Sequence, residues 1–253
     1  MFRKIKFLLF YIILLLVALG IIKDKVFDTA NNCNRKLTVK VNIFDTPGTL
    51  VYRLYFWSLI PMGELRISSK PEGSNIVFAA EADSARSFAD RFVVAKARVE
   101  SHFSKKDNLP YKYIERTEVN GKIKEKEILY DRDNLLAIAG KKKIRIEKAT
   151  LDPLGAFIQI LAFPIENGRD VVIPFMSGGD IYNFKVSSLN ADKGIQEVLV
   201  DIKRKNRTSS HGGYLHLWLT HDNNRIPLIF KSWTPAGYAS VVLVGIETER
   251  PGQ

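Results

Sequence analysis

The chain has 253 residues, 46% of them hydrophobic, which is enough apolar material to bury one large core. Its net charge of +11 predicts anionic surroundings, such as phospholipid head groups, acidic polysaccharide or nucleic acid. The single cysteine, Cys33, excludes an internal disulfide and a multi-cysteine metal site, and four scattered histidines argue against a histidine-rich one. We therefore expect no metal and no cofactor.

Residues 1–22 have the pattern of a membrane-directing leader. Three basic residues, Arg3, Lys4 and Lys6, precede an unbroken apolar run over residues 7–22. As a signal anchor, this run would hold the chain in the bacterial inner membrane as a single-pass protein, with the body in the periplasm. As a cleaved signal peptide, it would leave a soluble periplasmic protein. Export in either form argues against nucleic acid as a partner and favours lipid head groups or envelope glycans.

The rest of the chain is predicted to form one β-domain. Residues 23–36 are polar and without periodicity, as in a linker, and residues 249–253 form a tail. Between them, residues 37–248 contain about a dozen alternating segments, the first at residues 37–44, separated by turn signals such as Asn120-Gly121. Residues 93–103 alternate most clearly, with an apolar and a charged face, and we expect Pro61-Met62-Gly63 to break a strand. Because short turns join consecutive segments, we expect an antiparallel meander.

Two predicted strands carry bulky side chains on both faces. They are residues 49–60 and the first arm of a hairpin over residues 212–231, whose turn begins at Asp222. A strand of this kind needs cover on both faces, from a helix, another sheet or a bound apolar molecule. In the first strand Tyr52, Leu54 and Phe56 oppose Val51, Tyr55 and Trp57, and in the hairpin Tyr214, His216 and Trp218 oppose Leu215, Leu217 and Leu219.

One helix is predicted over residues 153–163. Asp152 can cap it, Pro153 suits its first position and Pro164 ends it. It is apolar on every side, so it must be buried. The inner face of a sheet of about a dozen strands is wider than this helix, so side chains or a ligand must fill the remainder. We therefore predict an all-β antiparallel barrel or half-barrel with one internal helix, preceded by an N-terminal transmembrane segment.

Several spaced motifs resemble an exported bacterial family known as domain of unknown function three-one-zero-eight. They are Met62-Gly63-Glu64, Asp90-Arg91-Phe92, Leu109-Pro110, Asp152-Pro153, residues 217–222 with residues 225–228, and Gly237. The resemblance covers about residues 51–246 and implies a periplasmic barrel or half-barrel similar in outline to lipid-handling β-sheets. It implies no activity and no catalytic residues.

Two groups of residues are candidates for ligand contact, and each has a structural alternative. Aromatic residues in strands are most often core, and basic residues near strand ends often protect edges from pairing with other chains. No Gly-x-Ser-x-Gly motif is present, so we predict no catalytic residues. The candidate ligand-binding residues are Tyr52, Leu54, Phe56, Trp57, Phe157, Leu161, Tyr214, His216 and Trp218, and the candidate head-group-binding residues are Lys141, Lys142, Lys143, Arg145, Lys203 and Arg204.

These features lead to two hypotheses of function, neither enzymatic. In the first, the protein binds or carries an amphipathic envelope molecule, a lipid or glycolipid, with acyl chains inside the sheet and phosphates at the basic strand ends. In the second, it is a scaffolding or protein-interaction subunit of an envelope assembly, with a filled interior. An open pocket lined by sheet and helix would favour the first, and a packed interior would favour the second.

Overall fold

The computed structural model describes residues 48–84, 95–162, 164–166, 168–205, 213–234 and 237–248. Within these ranges the chain forms fourteen strands and one helix, α1 (Pro153–Ala162). The strands are β1 (Gly48–Phe56), β2 (Ile60–Glu72), β3 (Asn75–Asp83), β4 (Ala95–Ser104), β5 (Leu109–Val119), β6 (Lys122–Asp131), β7 (Leu136–Ala139), β8 (Lys142–Arg145), β9 (Val171–Ser177), β10 (Asp180–Asp192), β11 (Ile195–Arg204), β12 (Gly213–Thr220), β13 (Pro227–Thr234) and β14 (Gly237–Thr248).

All fourteen strands of the described residues belong to one antiparallel sheet. Its order is β8-β7-β6-β5-β4-β3-β2-β1-β14-β13-β12-β11-β10-β9. Each strand pairs with its neighbours in sequence, except that β8 and β9 form the two edges of the sheet and β1 also pairs with β14. The sheet therefore consists of two meanders joined through the first and last strands, which confirms the predicted all-β antiparallel half-barrel with an internal helix.

The segment that leads into α1 covers the edge of the sheet at β9. Leu151 N–H donates to Pro174 O at 2.9 Å, and Met176 N–H donates to Leu151 O at 2.8 Å. Glu147 forms an ion pair with Lys205, at the end of β11. These contacts occupy backbone groups of an edge strand that would otherwise be free to pair with another chain.

The helix packs against the inner face of the sheet. Phe157 contacts Phe230 with ring centroids 5.6 Å apart, and Tyr52 contacts the same ring at 5.1 Å. Leu217 is the register partner of Phe230, so it lies on this inner face too. The aliphatic and aromatic residues of both meanders form one continuous core with α1.

The outer face of the first meander, together with the adjoining strand β14, carries a ladder of charges. Arg66 contacts Glu247 and Glu64, each at 2.8 Å, and Arg98 pairs with Glu81 and Glu100. This agrees with the prediction that residues 93–103 alternate between an apolar and a charged face, in the part that the structure describes. The ion pairs are solvent-exposed, so each contributes less than about 1 kcal/mol.

The prediction of one strand over residues 49–60 is wrong. The chain reverses at Trp57-Ser58-Leu59, where Leu59 N–H donates to Phe56 O at 3.2 Å. Trp57 and Ser58 have φ angles of 51° and 55°, which bulky residues rarely adopt. Apolar alternation cannot reveal a reversal made without Gly, Pro, Asn or Asp.

The expected break at Pro61-Met62-Gly63 is also wrong, because β2 runs through it. Gly63 has a φ of 148°, and a Cβ atom there would lie 2.2 Å from Asp83 O on β3. The residue must therefore be glycine for β2 and β3 to approach each other. The glycine in this motif therefore marks the close contact between the backbones of β2 and β3, and not the end of a strand.

Several predictions lie outside the described residues. These are the leader at residues 1–22 with its transmembrane segment, the linker at residues 23–36, a strand at residues 37–44 and the tail at residues 249–253. In the part of the chain that is described, no helix has the length and apolar character needed to cross a membrane.

Candidate functional site

The N-terminus of α1 is held by a buried carboxylate. Asp152 is fully buried and caps the helix as predicted, since its Oδ1 accepts a hydrogen bond of 2.7 Å from Gly155 N–H. Its other oxygen accepts a hydrogen bond from the Ser101 hydroxyl on β4. Burial raises the pKa of Asp152 to about 6, although the hydrogen bonds from Ser101 and the helix amides oppose this rise.

The C-terminus of α1 is held by a buried guanidinium. Arg225 is 7% exposed, and its Nε donates to Leu161 O at 3.1 Å, while Nη2 lies 3.5 Å from Ile160 O. Its Nη1 donates to Gln196 Oε1 on β11. A cation at these carbonyls matches the negative end of the helix dipole. Together, Asp152 and Arg225 fix both ends of α1 inside the sheet.

A compact turn positions Arg225. Asp222 Oδ1 accepts hydrogen bonds from Thr220 Oγ1 at 2.7 Å, Asn224 N–H at 3.0 Å and Arg225 N–H at 3.1 Å. Partial burial works to raise the pKa of Asp222, but these hydrogen bonds outweigh it and lower the pKa below its ordinary value. The polar turn predicted in the hairpin therefore also presents the side chain that binds the helix.

Four of the nine candidate ligand-binding residues belong to the packed core on the inner face of the sheet. Tyr52, Leu54 and Leu161 are at most 3% exposed, and Phe157 is half-buried against Phe230. Tyr52 Oη donates to Pro227 O at 2.9 Å, so its hydroxyl is already satisfied inside the protein. These residues pack against one another and against α1.

The other five candidate ligand-binding residues do not line one common space. Phe56 is half-buried at the end of β1, and Trp57, in the turn that follows, is 51% exposed. Tyr214, His216 and Trp218 lie on the outer face, opposite Leu217, because neighbouring side chains of a strand alternate. Tyr214 is 54% exposed there, whereas Trp218 is buried at 5% exposure and belongs to the core. The structure therefore separates the predicted residues into a core group, a turn and an outer group.

The outer group belongs to a cluster that the sequence reasoning missed. His216 Nε2 lies 2.8 Å from Glu197 Oε1, and its ring centroid is 4.1 Å from that of Trp218. Lys231, the register partner of His216, is 5% exposed, with Nζ 5.8 Å from the Trp218 ring centroid. Burial lowers the pKa of Lys231 to about 8. The sequence contains one sign of this cluster, because Lys231 is a single lysine within the apolar run of β13.

The candidate head-group residues form two groups of different character. Those in and before β8 are exposed, and they form no ion pair with other described residues. Lys203 instead pairs with Asp201 at 2.6 Å, and Arg204 pairs with Asp180. The exposed group consists of Lys141, Lys142, Lys143 and Arg145.

The described residues contain no group of three or more His, Cys, Asp or Glu side chains placed to hold a metal ion. The buried ionisable groups at the two ends of α1 are occupied by hydrogen bonds to the helix and to Ser101 and Gln196. Their arrangement positions the helix, so the motifs that contain Asp152 and Arg225 have a structural role.

Comparison with known proteins gives a family and a fold. Among curated proteins, none matches this chain. A β-barrel-like protein of unknown function, DUF1849, from Brucella abortus has a TM-score of 0.56 at 10% identity, over 81% of this chain and 98% of that one. A DUF1089 family protein from Pseudomonas aeruginosa has a TM-score of 0.38 at 11% identity, over 65% of this chain and 87% of that one.

The Brucella structure shows the same barrel-like fold and nothing about activity. The family match is more specific, because it runs over residues 51–244, from β1 to β14, and includes both ends of the buried helix. It confirms the resemblance expected from the motifs. The chain belongs to the family described as protein of unknown function (DUF3108).

Proposed function

We propose that the protein is a non-catalytic interaction module of the bacterial cell envelope, which binds through the outside of a filled half-barrel. The observation that supports this proposal is the packing of α1. Its two ends are held by Asp152 and Arg225, and its buried side chains complete one core with both meanders. Because the helix fills the interior, a binding partner can contact only the outer surface and the strand ends.

Burial of the inner face argues against the carrier hypothesis. A void large enough for an acyl chain would leave its lining accessible to a water-sized sphere. Leu50 and Leu54 come from β1, Leu217 from β12 and Phe230 from β13, yet none is more than 3% exposed. The same burial supports the scaffolding alternative.

Native mass spectrometry of the full chain, purified from membranes, tests this proposal. We expect the main species to have the mass of the protein alone after detergent is released. A lipid bound in a one-to-one complex that survives this release, and that an added fatty acid displaces, would contradict the proposal and restore the carrier hypothesis.

A cavity variant provides the positive control. Leu217→Ala should leave an apolar void beneath α1 and lower the free energy of unfolding by about 2–5 kcal/mol. Such a void can take up a small apolar molecule such as benzene. We expect benzene to stabilise this variant against urea and to leave the wild-type protein unchanged. Equal stabilisation of both proteins would show that the native interior already contains space.

A further inference from the structure

The strand order places several turns at one end of the half-barrel. In an antiparallel meander successive turns alternate between the two ends. The turns at residues 57–59, 120–121 and 140–141 therefore share one end, together with the final residues of β11. We call this end the basic rim. Helix α1 is held at the opposite end, by the turn that carries Arg225.

The basic rim carries an excess of positive charge. Lys122 and Lys124 lie at the β5–β6 turn, and residues 141–143 are three consecutive lysines at the β7–β8 turn. All five are exposed, and none forms an ion pair with a described residue, although Lys143, after the hydrogen bonds from Asn134, contributes to the lowered pKa of Asp131. At the end of β11 the basic residues are paired with acids, Lys203 with Asp201 and Arg204 with Asp180, so the excess charge lies at the β5–β6 and β7–β8 turns.

The same rim displays large apolar side chains. Trp57 is 51% exposed, Leu59 is 81% exposed and Ile123, between the two lysines of the β5–β6 turn, is 53% exposed. Turns of this geometry normally use Asn-Gly, whereas here Trp57 and Ser58 occupy the left-handed region. Observed backbone strain of this kind is a basis for a hypothesis of function.

We propose that the basic rim is a docking face for an anionic phospholipid bilayer. Trp57, Leu59 and Ile123 would enter the interfacial layer, and the five lysines would contact lipid phosphates. Charge complementarity selects this partner, because exposed apolar tips beside lysines without acidic partners match a surface that is apolar and negatively charged. The inference rests on the proposed outward-facing function and names its partner.

Site-specific fluorescence in the full chain tests the docking face. Cys33→Ser removes the single cysteine, and Ser58→Cys then carries an environment-sensitive dye between Trp57 and Leu59. Ser74→Cys, in the exposed β2–β3 turn at the opposite end, is the matched control. Each protein is reconstituted into vesicles of phosphatidylcholine alone or with phosphatidylglycerol, including brominated lipids that quench the dye. Far-UV circular dichroism checks that each variant is folded.

We expect bromolipid quenching at position 58 in the anionic vesicles, and none at position 74. Changing Lys141, Lys142 and Lys143 to Gln should weaken this association about a hundredfold, since each basic residue near an anionic surface contributes about 1 kcal/mol. Added salt should weaken it as well. These results would support the docking face.

Equal quenching at both positions, or none at position 58, would overturn the proposal. A shift at position 58 on adding soluble polyphosphate or RNA, without quenching by lipid, would also overturn it and assign the rim to a soluble polyanion. None of these outcomes affects the native mass spectrum or the benzene experiment. Failure of the docking face is therefore distinguishable from failure of the filled-interior function.

Discussion

Asp152 combines a favourable position with an unfavourable environment. As the N-cap of α1 it accepts the Gly155 amide, and the positive end of the helix dipole favours its charge. Full burial opposes ionisation more strongly, so the pKa of Asp152 rises from 3.8 to about 6. The spacing of Asp152 and Pro153 was enough to predict the cap. Its protonation could not be predicted, because the burial comes from strands distant in sequence.

This raised pKa makes stability depend on pH. The folded state binds the Asp152 proton more tightly than the unfolded state, so the stabilisation is complete below about pH 4 and is lost as pH rises through about 6. The loss should amount to about 3 kcal/mol. Asp152→Asn keeps an oxygen for the Gly155 amide and removes the charge. We expect urea titrations to show that this variant gains stability relative to wild type between pH 4 and 7.

Asp131 provides a control of opposite sign. It is partly exposed, and hydrogen bonds from Asn134 lower its pKa. Its contribution is therefore lost as pH falls, so Asp131→Asn should not gain stability relative to wild type between pH 4 and 7. A stability difference between Asp152→Asn and wild type that stayed constant over this range would contradict the raised pKa.

The helix and the β12–β13 hairpin work as one unit. Each was predicted separately from its own pattern: an apolar segment between prolines, and alternating arms around Asp222. Their connection through Arg225 to the Leu161 and Ile160 carbonyls was not predicted. Local periodicity determines an element and its buried face, but a contact between residues 64 positions apart depends on how the sheet curves.

Replacing Arg225 tests this connection. Arg225→Met keeps much of the side-chain volume and removes the hydrogen bonds to α1 and Gln196, leaving buried carbonyls unsatisfied. Since each lost bond to a charged group costs about 1.5–3 kcal/mol, we expect the free energy of unfolding to fall by about 3 kcal/mol or more. Arg98→Met, on the exposed charge ladder, should cost less than about 1 kcal/mol. Similar losses in chemical denaturation would show that Arg225 does not anchor the helix.

Pairing of β1 with β14 joins the two meanders into one molecule. β1 pairs with β14 from Gly48 to Phe56, and the core is continuous across this junction. The sequence predicted the individual hairpins through their turns, such as Asn120-Gly121. It did not predict that the first and last strands of the described chain would pair, because no turn connects them. The separation of the nine candidate residues into core, turn and outer groups follows from this pairing and from the unexpected turn at Trp57.

Because the core crosses the β1–β14 junction, we expect the two meanders to unfold together. Hydrogen exchange measured by mass spectrometry in increasing urea should give peptides from β3 and β11 opening free energies equal within about 1 kcal/mol. The exposed β5–β6 turn should exchange at every urea concentration and serves as the internal control. If either meander lost protection at lower urea while the other remained protected, the junction would be weaker than its pairing indicates. The sheet would then consist of two cooperative units.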